Sequence, residues 1–295
     1  MSSNFRNFAL KSIIPAFICF AFFSCSHEFD GKNGLNVVHF PNSDKIMMTA
    51  EFKNGKRDGE LKEYYKNGNL KTHQHYVEDK LEDSSLLYYE NGVLGELQYF
   101  KNHDKEGTWK KFNKEGKVIS EVSYKRDMLD GPSVSYTYRT LKLQKRLNYK
   151  NGKLDGKQEM YYDNGKPQSV TYFSDGNPCK GTEEWTETGE KINNDFKITA
   201  VEENKLLMEN RLRYYITLEN PQADDKVLLV LEKDTGNVVT ELEPLRKIDN
   251  RYMLEYGLAK GGFIMEKIRV AGFRQTGLGN TMIETKDITV AANNY

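Results

Sequence analysis

The sequence predicts an all-β chain: an elongated array of antiparallel β-hairpin repeats followed by a C-terminal β-sandwich. Three observations carry that expectation. Glycines recur at Gly59, Gly107, Gly131, Gly156 and Gly181, at intervals of 48, 24, 25 and 25, and Asp83 stands inside the double gap where one glycine is lost. Aromatic residues keep the same period at Phe52, Tyr76, Phe100, Tyr124, Tyr149 and Phe173. After Ile192 both rhythms stop, and short alternating runs separated by turn signals take over. A fixed internal period of this length marks units that bury their apolar side only against one another.

Each unit reads as two strands. The first ends in an aromatic pair and a turn, as in Tyr64-Tyr65-Lys66-Asn67-Gly68, Tyr88-Tyr89-Glu90-Asn91-Gly92 and Tyr161-Tyr162-Asp163-Asn164-Gly165. The second ends in a single aromatic, followed at Asn54-Gly55 and Asn151-Gly152 by another turn signal. Asn-Gly between alternating apolar residues predicts a type I′ hairpin turn, because both residues tolerate positive φ. Asp58-Gly59, Asp130-Gly131 and Asp155-Gly156 read as further turns closing the units. Alternation puts Leu70, Thr72, Gln74 and Tyr76 on one face and Lys71, His73 and His75 on the other. Apolar content on the first face is thin, so stacked rings, each worth about 150–250 Å² of burial, must hold the units together. Three units depart from the pattern. Phe112–Gly116 and Trp185–Gly189 read as carrying one extra residue, and the unit from Pro132 to Gly156 replaces its glycine turn with Arg139-Thr140-Leu141-Lys142.

Phe52-Lys53-Asn54-Gly55-Lys56-Arg57-Asp58-Gly59 and Tyr149-Lys150-Asn151-Gly152-Lys153-Leu154-Asp155-Gly156 carry a family resemblance. Over about residues 44–192 the chain resembles bacterial MORN-variant repeat proteins. That resemblance implies a β-hairpin array without catalytic residues. Some members are assigned as antitoxins, and MORN repeats elsewhere are linked to membrane lipid and protein contacts.

The N-terminus reads as a signal peptide over residues 1–24. Arg6 and Lys11 precede the apolar run Ile13–Phe23, which falls short of the ~20 residues needed to span a bilayer. Ser24-Cys25 then resembles a lipoprotein cleavage site, with Phe22 where Leu is usual, so Cys25 is the expected lipid attachment point and residues 25–43 a spacer. Cys179 would remain as the single unmodified cysteine, an exposed and ordinary thiol.

Charge narrows the partner class. The chain carries 43 basic and 43 acidic residues, which gives no overall bias toward nucleic acid and no polybasic tract for an anionic membrane. No cofactor and no metal are expected. His73-x-His75 offers two imidazoles on an outward strand face, short of the three or four converging ligands zinc requires. Gly152–Lys157 has the wrong spacing for a phosphate loop, Gly277-x-Gly279 opens no helix, and no nucleophile elbow occurs. The expected role is therefore non-enzymatic: an envelope lipoprotein held at a membrane by its anchor. Its array would bind a protein partner, a toxin among the options, or else a glycan through exposed aromatics. The candidate contact residues are Tyr64, Tyr65, Tyr88, Tyr89, Tyr161 and Tyr162.

Residues 193–295 read as the sandwich, with runs at Phe196–Glu203, Arg211–Glu219, Lys226–Glu232, Asn237–Leu242, Arg251–Tyr256, Ile264–Gly272 and Met282–Val290. Seven short strands with Asn220-Pro221, Asp249-Asn250 and Gly261-Gly262 between them suggest an immunoglobulin-like arrangement, without the cysteine pair or tryptophan that marks antibody domains.

Overall fold

A computed structural model of the chain describes residues 29–230 and 242–295. The signal segment, Cys25 and nearly all of the run expected at Asn237–Leu242 lie outside the described residues. The repeats form one antiparallel sheet of 17 strands. In chain order these are β1 (Gly34–His39), β2 (Ile46–Lys53), β3 (Lys56–Tyr64), β4 (Leu70–Val77), β5 (Lys80–Tyr88) and β6 (Leu94–Lys101). They continue as β7 (Asp104–Lys105), β8 (Gly107–Phe112), β9 (Val118–Lys125), β10 (Met128–Tyr136), β11 (Leu143–Lys150) and β12 (Lys153–Leu154). The last are β13 (Gly156–Tyr161), β14 (Pro167–Ser174), β15 (Asn177–Pro178), β16 (Glu183–Trp185) and β17 (Lys191–Ile192). The long strands pair in chain order as a simple meander, and the short β7, β12 and β15 lie on the same partners as β8, β13 and β16, namely β6, β11 and β14. Residues 34–39, expected within the spacer, form the first edge strand instead, paired with β2.

The two turn classes differ. At the exits of second strands, Asn54-Gly55, Glu78-Asp79, Asn102-His103, Arg126-Asp127, Asn151-Gly152 and Asp175-Gly176 all have two consecutive positive φ angles, the type I′ signature. The aromatic-pair turns are not of that type. Gly68 donates to Tyr65 O at 2.9 Å and Tyr65 to Asn69 O at 2.8 Å, and only the glycine has positive φ. This is a type I turn closed by a left-handed glycine, and Asn67 serves through its side chain by accepting from Asn69 N–H at 2.9 Å. Phe112–Gly116 and Trp185–Gly189 are not lengthened. They keep the same loop, with Asn113 and Thr186 in place of the second aromatic.

The periodic glycines do not form turns either. Gly59 and Gly131 sit inside strands at bulges, while Gly107, Gly156 and Gly181 sit where the same two-residue slip breaks the strand into a short and a longer piece on one partner. Between the pairs Tyr124↔Leu129 and Val122↔Ser133, β10 runs two residues longer than β9, and Gly131 with φ +105° occupies the excess. The same slip occurs in β3 at Gly59 and in β5 at Asp83, which adopts φ +60° in the glycine's place. A bulge bends its strand and sharpens the twist, so a bulge in every unit bends the sheet at a regular interval.

The face that bears the ladder aromatics is the buried one. Ala50, Leu61, Tyr76 and Leu81 form its apolar cluster, with Phe52 and Phe100 packed against them. Ring contacts run Phe29–Phe52 at 5.4 Å, Phe100–Trp109 at 5.3 Å and Trp109–Tyr124 at 4.8 Å. Arg57 lies 4.1 Å over Tyr76, and Lys105 lies 5.0 Å over Trp109, so cations cover rings that a one-layer sheet leaves partly open. Toward the end of the array the same face buries small polar groups such as Gln158, Ser169 and Thr171.

The C-terminal region is a sandwich of two four-stranded sheets. Its strands are β18 (Ile198–Lys205), β19 (Arg211–Leu218), β20 (Lys226–Val230), β21 (Leu242–Pro244), β22 (Arg246–Ile248), β23 (Arg251–Gly257), β24 (Phe263–Gln275) and β25 (Thr281–Asn293). One sheet runs β18-β19-β23-β22 and the other β21-β20-β24-β25. That is the A-B-E-D and C′-C-F-G order of an immunoglobulin-like sandwich. Strict alternation in β19 buries Leu212, Tyr214, Ile216 and Leu218 against Val227, Val270, Ile288 and Val290 of the other sheet. A short helix, α1 (Leu206–Glu209), drops Leu206 into the same core. Arg274 forms a buried bidentate pair with Asp225, at 2.9 and 2.7 Å, and also donates to Glu219 O and Asn220 O. Its guanidinium lies 4.5 Å over Phe196.

Candidate functional site

The second tyrosine of each aromatic pair is part of the scaffold. Tyr65 donates its hydroxyl to Tyr88 O, Tyr89 to Phe112 O and Tyr162 to Trp185 O, each at 2.7 Å and each 23 residues ahead. Burial raises the Tyr89 phenol above its ordinary range, and the neighbouring Tyr138 adds to the shift. The first tyrosines, Tyr64, Tyr88 and Tyr161, are half-buried at the strand ends. All six candidate residues therefore lie along one turn edge of the sheet, and three of them are tied into it.

That edge is bolted from unit to unit. Asn67 and Asn69 donate side-chain amides to Glu90 O at 3.0 and 2.8 Å, and Asn164 donates to Glu187 O at 2.9 Å. Lys166 reaches Thr188 O at 2.5 Å. The opposite edge uses carboxylates. Asp58 accepts from Glu78 N–H, Glu82 from Asn102, Glu106 from Arg126, Asp130 from Asn151 and Asp155 from Asp175, all at 2.5–3.3 Å. The acid before Gly59, Asp83, Gly107, Gly131 and Gly156 thus caps the first N–H of the next turn, whereas Gly181 follows Lys180. Sequence reading missed this role, although the offset of 20 or 21 residues between each Asp or Glu and its turn was visible.

The outward face carries ion pairs across and along strands. Lys110–Glu121 at 3.1 Å and Arg146–Glu159 at 3.1 Å link neighbouring strands, and Lys157 lies 2.6 Å from Glu159 on the same strand. His73 belongs to this set, 3.2 Å from Glu60. Among the described residues no three His, Cys, Asp or Glu side chains gather as a metal site.

A cleft of about 910 Å³ opens where the last repeat meets the sandwich, with Tyr172, Lys180, Glu183, Lys191 and Met282 in its wall. Beside it Glu184 is 1% exposed and accepts from Thr276, Asn280 and Asn194, each at 2.6 Å. Lys180 donates to Thr285 at 2.9 Å and Thr182 to Thr281 O at 2.9 Å, so the β24–β25 hairpin is docked onto the array. Cys179, expected to be exposed, is buried in this wall, and burial pushes its thiol up. That is opposite to the depressed pKa of a reactive thiolate.

Residues 57–78, 105–126 and 154–176 match the family model described as the MORN repeat variant. The array carries MORN-variant repeats. Each matched stretch runs from just after one type I′ turn to the next, covering the two arms of one hairpin and the turn between them. The units at 81–102 and 129–151 fall between the matches. They are the ones with Asp83 at the glycine position and with the altered turn at 137–142. No curated protein matches the chain.

Proposed function

We propose that this protein is a non-enzymatic envelope lipoprotein, anchored through Cys25, whose MORN-variant array is a rigid scaffold for a protein partner. The supporting observation is the continuous bolting of successive turns along both edges of the sheet. A surface fixed in this way binds without the ordering cost a flexible one would carry. The sandwich covers the end of the array, where an uncapped repeat would expose its stacking face. Neutralising a toxin at the envelope is one form of this role. Glycan stacking is less well supported, because Tyr65, Tyr89 and Tyr162 are held by hydrogen bonds and Tyr64, Tyr88 and Tyr161 are half-buried.

Affinity capture from cross-linked cells tests the reading, with Cys25→Ala as the mislocalised control. The expected result is a protein recovered with the acylated chain and lost with the variant. Recovery of polysaccharide without protein, or of the same proteins with both chains, would refute it.

A further inference from the structure

The balanced total charge conceals a strong segregation. Residues 101–157 hold 15 basic and 7 acidic residues, so the remainder of the chain carries 28 basic and 36 acidic. Part of the excess lies on the aromatic-pair edge, at the neighbouring turns 113–117 and 137–142. These turns carry Lys114, Lys117, Arg139 and Lys142 against one carboxylate, Glu115, and all five residues are exposed. None of the four cations has an ion pair among the described residues, whereas Lys110, Lys111 and Arg146 on the adjoining strands are paired with Glu121, Glu96 and Glu159. Two strands separate the turns, a step of ~9.5 Å.

Turn 137–142 is also the one where the repeat rule is broken. The corresponding position in other units is Gly68, Gly92, Gly116, Gly165 or Gly189, all with positive φ. Here it is Leu141, held at φ +54° and 37% exposed beside Tyr138 at 46%. A leucine in the left-handed region is strained, and strain kept at one exposed position points to use. The turn is well fixed. Thr137 and Thr140 bond through their hydroxyls, Leu141 N–H donates to Thr137 O at 3.1 Å, and Lys142 N–H donates to Thr137 Oγ1 at 3.1 Å. Asn113 donates to Tyr138 O at 3.3 Å, and Lys142 Nζ reaches Asn164 O at 3.2 Å, which locks the turn to both neighbours.

We propose that these two turns form a docking site for an acidic polypeptide segment carrying an apolar anchor residue. The cations would meet its carboxylates, and Tyr138 and Leu141 would receive the anchor. This rests on the scaffold reading above and gives its partner a chemistry. Other polyanions fit less well. A single nucleic-acid strand bears a charge every ~3.4 Å and rewards a long basic track, not four cations in two turns. Membrane insertion uses an apolar face sunk ~5–10 Å into the interface, whereas Tyr138 and Leu141 lie half against the turn.

The test is fluorescence anisotropy on the full chain, using a fluorescein-labelled peptide of Asp and Glu with a central Leu-Phe pair. Binding is expected to weaken as salt rises and to fall about tenfold or more in Lys114→Glu/Arg139→Glu. Leu141→Gly should lose several-fold in affinity while raising the melting temperature, because it removes the contact and the strain together. Equal affinity across these variants would overturn the proposal, as would tighter binding to anionic vesicles, single-stranded DNA or an acidic polysaccharide. Cross-linked capture separates the two levels. If wild type and Lys114→Glu/Arg139→Glu recover the same partner, this site falls and the scaffold reading stands. If neither recovers a protein, both fall.

Discussion

Asp83 shows how much a single position can report. It occupies the bulge where the other units keep glycine, at φ +60°, a conformation an L-residue adopts only at a cost that aspartate softens. Asp83→Gly should therefore stabilise the protein by about 0.5–1 kcal/mol, read as a rise in the denaturant midpoint with no change in slope. Gly131 is the opposite case. Its φ of +105° lies outside the left-handed well, and a Cβ there would sit 3.1 Å from Ser123 Cβ. Gly131→Ala should cost about 1–3 kcal/mol in the same assay. The period marked both positions as special, yet it read the Asp-Gly pairs as turns. Nothing local in Asp130-Gly131 separates a turn from a bulge, because both need positive φ. The pairing partner decides, and Tyr124 and Val122 lie on another strand.

At the scale of the element, the repeat is defined by bonds that leave it. A unit's tyrosine hydroxyl ends 23 residues ahead and its carboxylate cap 20 or 21 residues ahead, so a unit alone keeps few of its stabilising contacts. Tyr89→Phe keeps the ring and removes one such bond, at a cost of about 1 kcal/mol. Because the three equivalent tyrosines share no partners, replacing Tyr65, Tyr89 and Tyr162 together should cost about three times as much, within the usual additivity of separated sites. Thermal unfolding checks this, and a triple variant as stable as wild type would show that the hydroxyls contribute nothing. The aromatic-pair rhythm made the tyrosines visible from sequence as candidate contacts. Their hydroxyl acceptors could not be read there, since the carbonyl of residue i+23 comes alongside only when strands of fixed length stack in register.

For the whole molecule, the two halves rest on different physics. The array is held by ring stacking and by exposed or half-exposed polar bonds, the sandwich by an apolar core and the buried Arg274–Asp225 pair. Burial alone would raise the Asp225 carboxyl, but the Arg274 guanidinium and the Gln222 N–H outweigh it and hold it below its ordinary value of 3.8. A carboxyl with a depressed folded pKa contributes stability above the unfolded value, and that contribution is lost as pH falls below it. The sandwich should therefore keep its stability down to about pH 4 and lose it progressively below. Asp225→Asn should remove the Asp225 share of that acid sensitivity, leaving the part carried by Asp287 and Glu255, whose carboxyls arginine and lysine neighbours also hold low. It should cost about 3–5 kcal/mol at neutral pH, because Arg274 is left buried without its counter-charge. Denaturation followed across pH by near-UV circular dichroism checks both, and an unchanged acid limb in the variant would place the sensitivity elsewhere. Glu184 joins the halves by a different logic, a buried carboxylate served by three neutral donors drawn from the linker and the β24–β25 turn.

Sequence by itself determined the period, the strand alternation, the ladder of rings and the change of texture at Ile192. All of these are carried by neighbours along the chain, through side-chain periodicity and local backbone preference. Tertiary structure alone decided which glycine positions bend a strand, where each acid and hydroxyl finds its partner, and that unpaired cations gather at two adjacent turns. Those outcomes depend on cross-strand register, which brings together residues about one repeat apart. No window along the chain contains both members of such a pair.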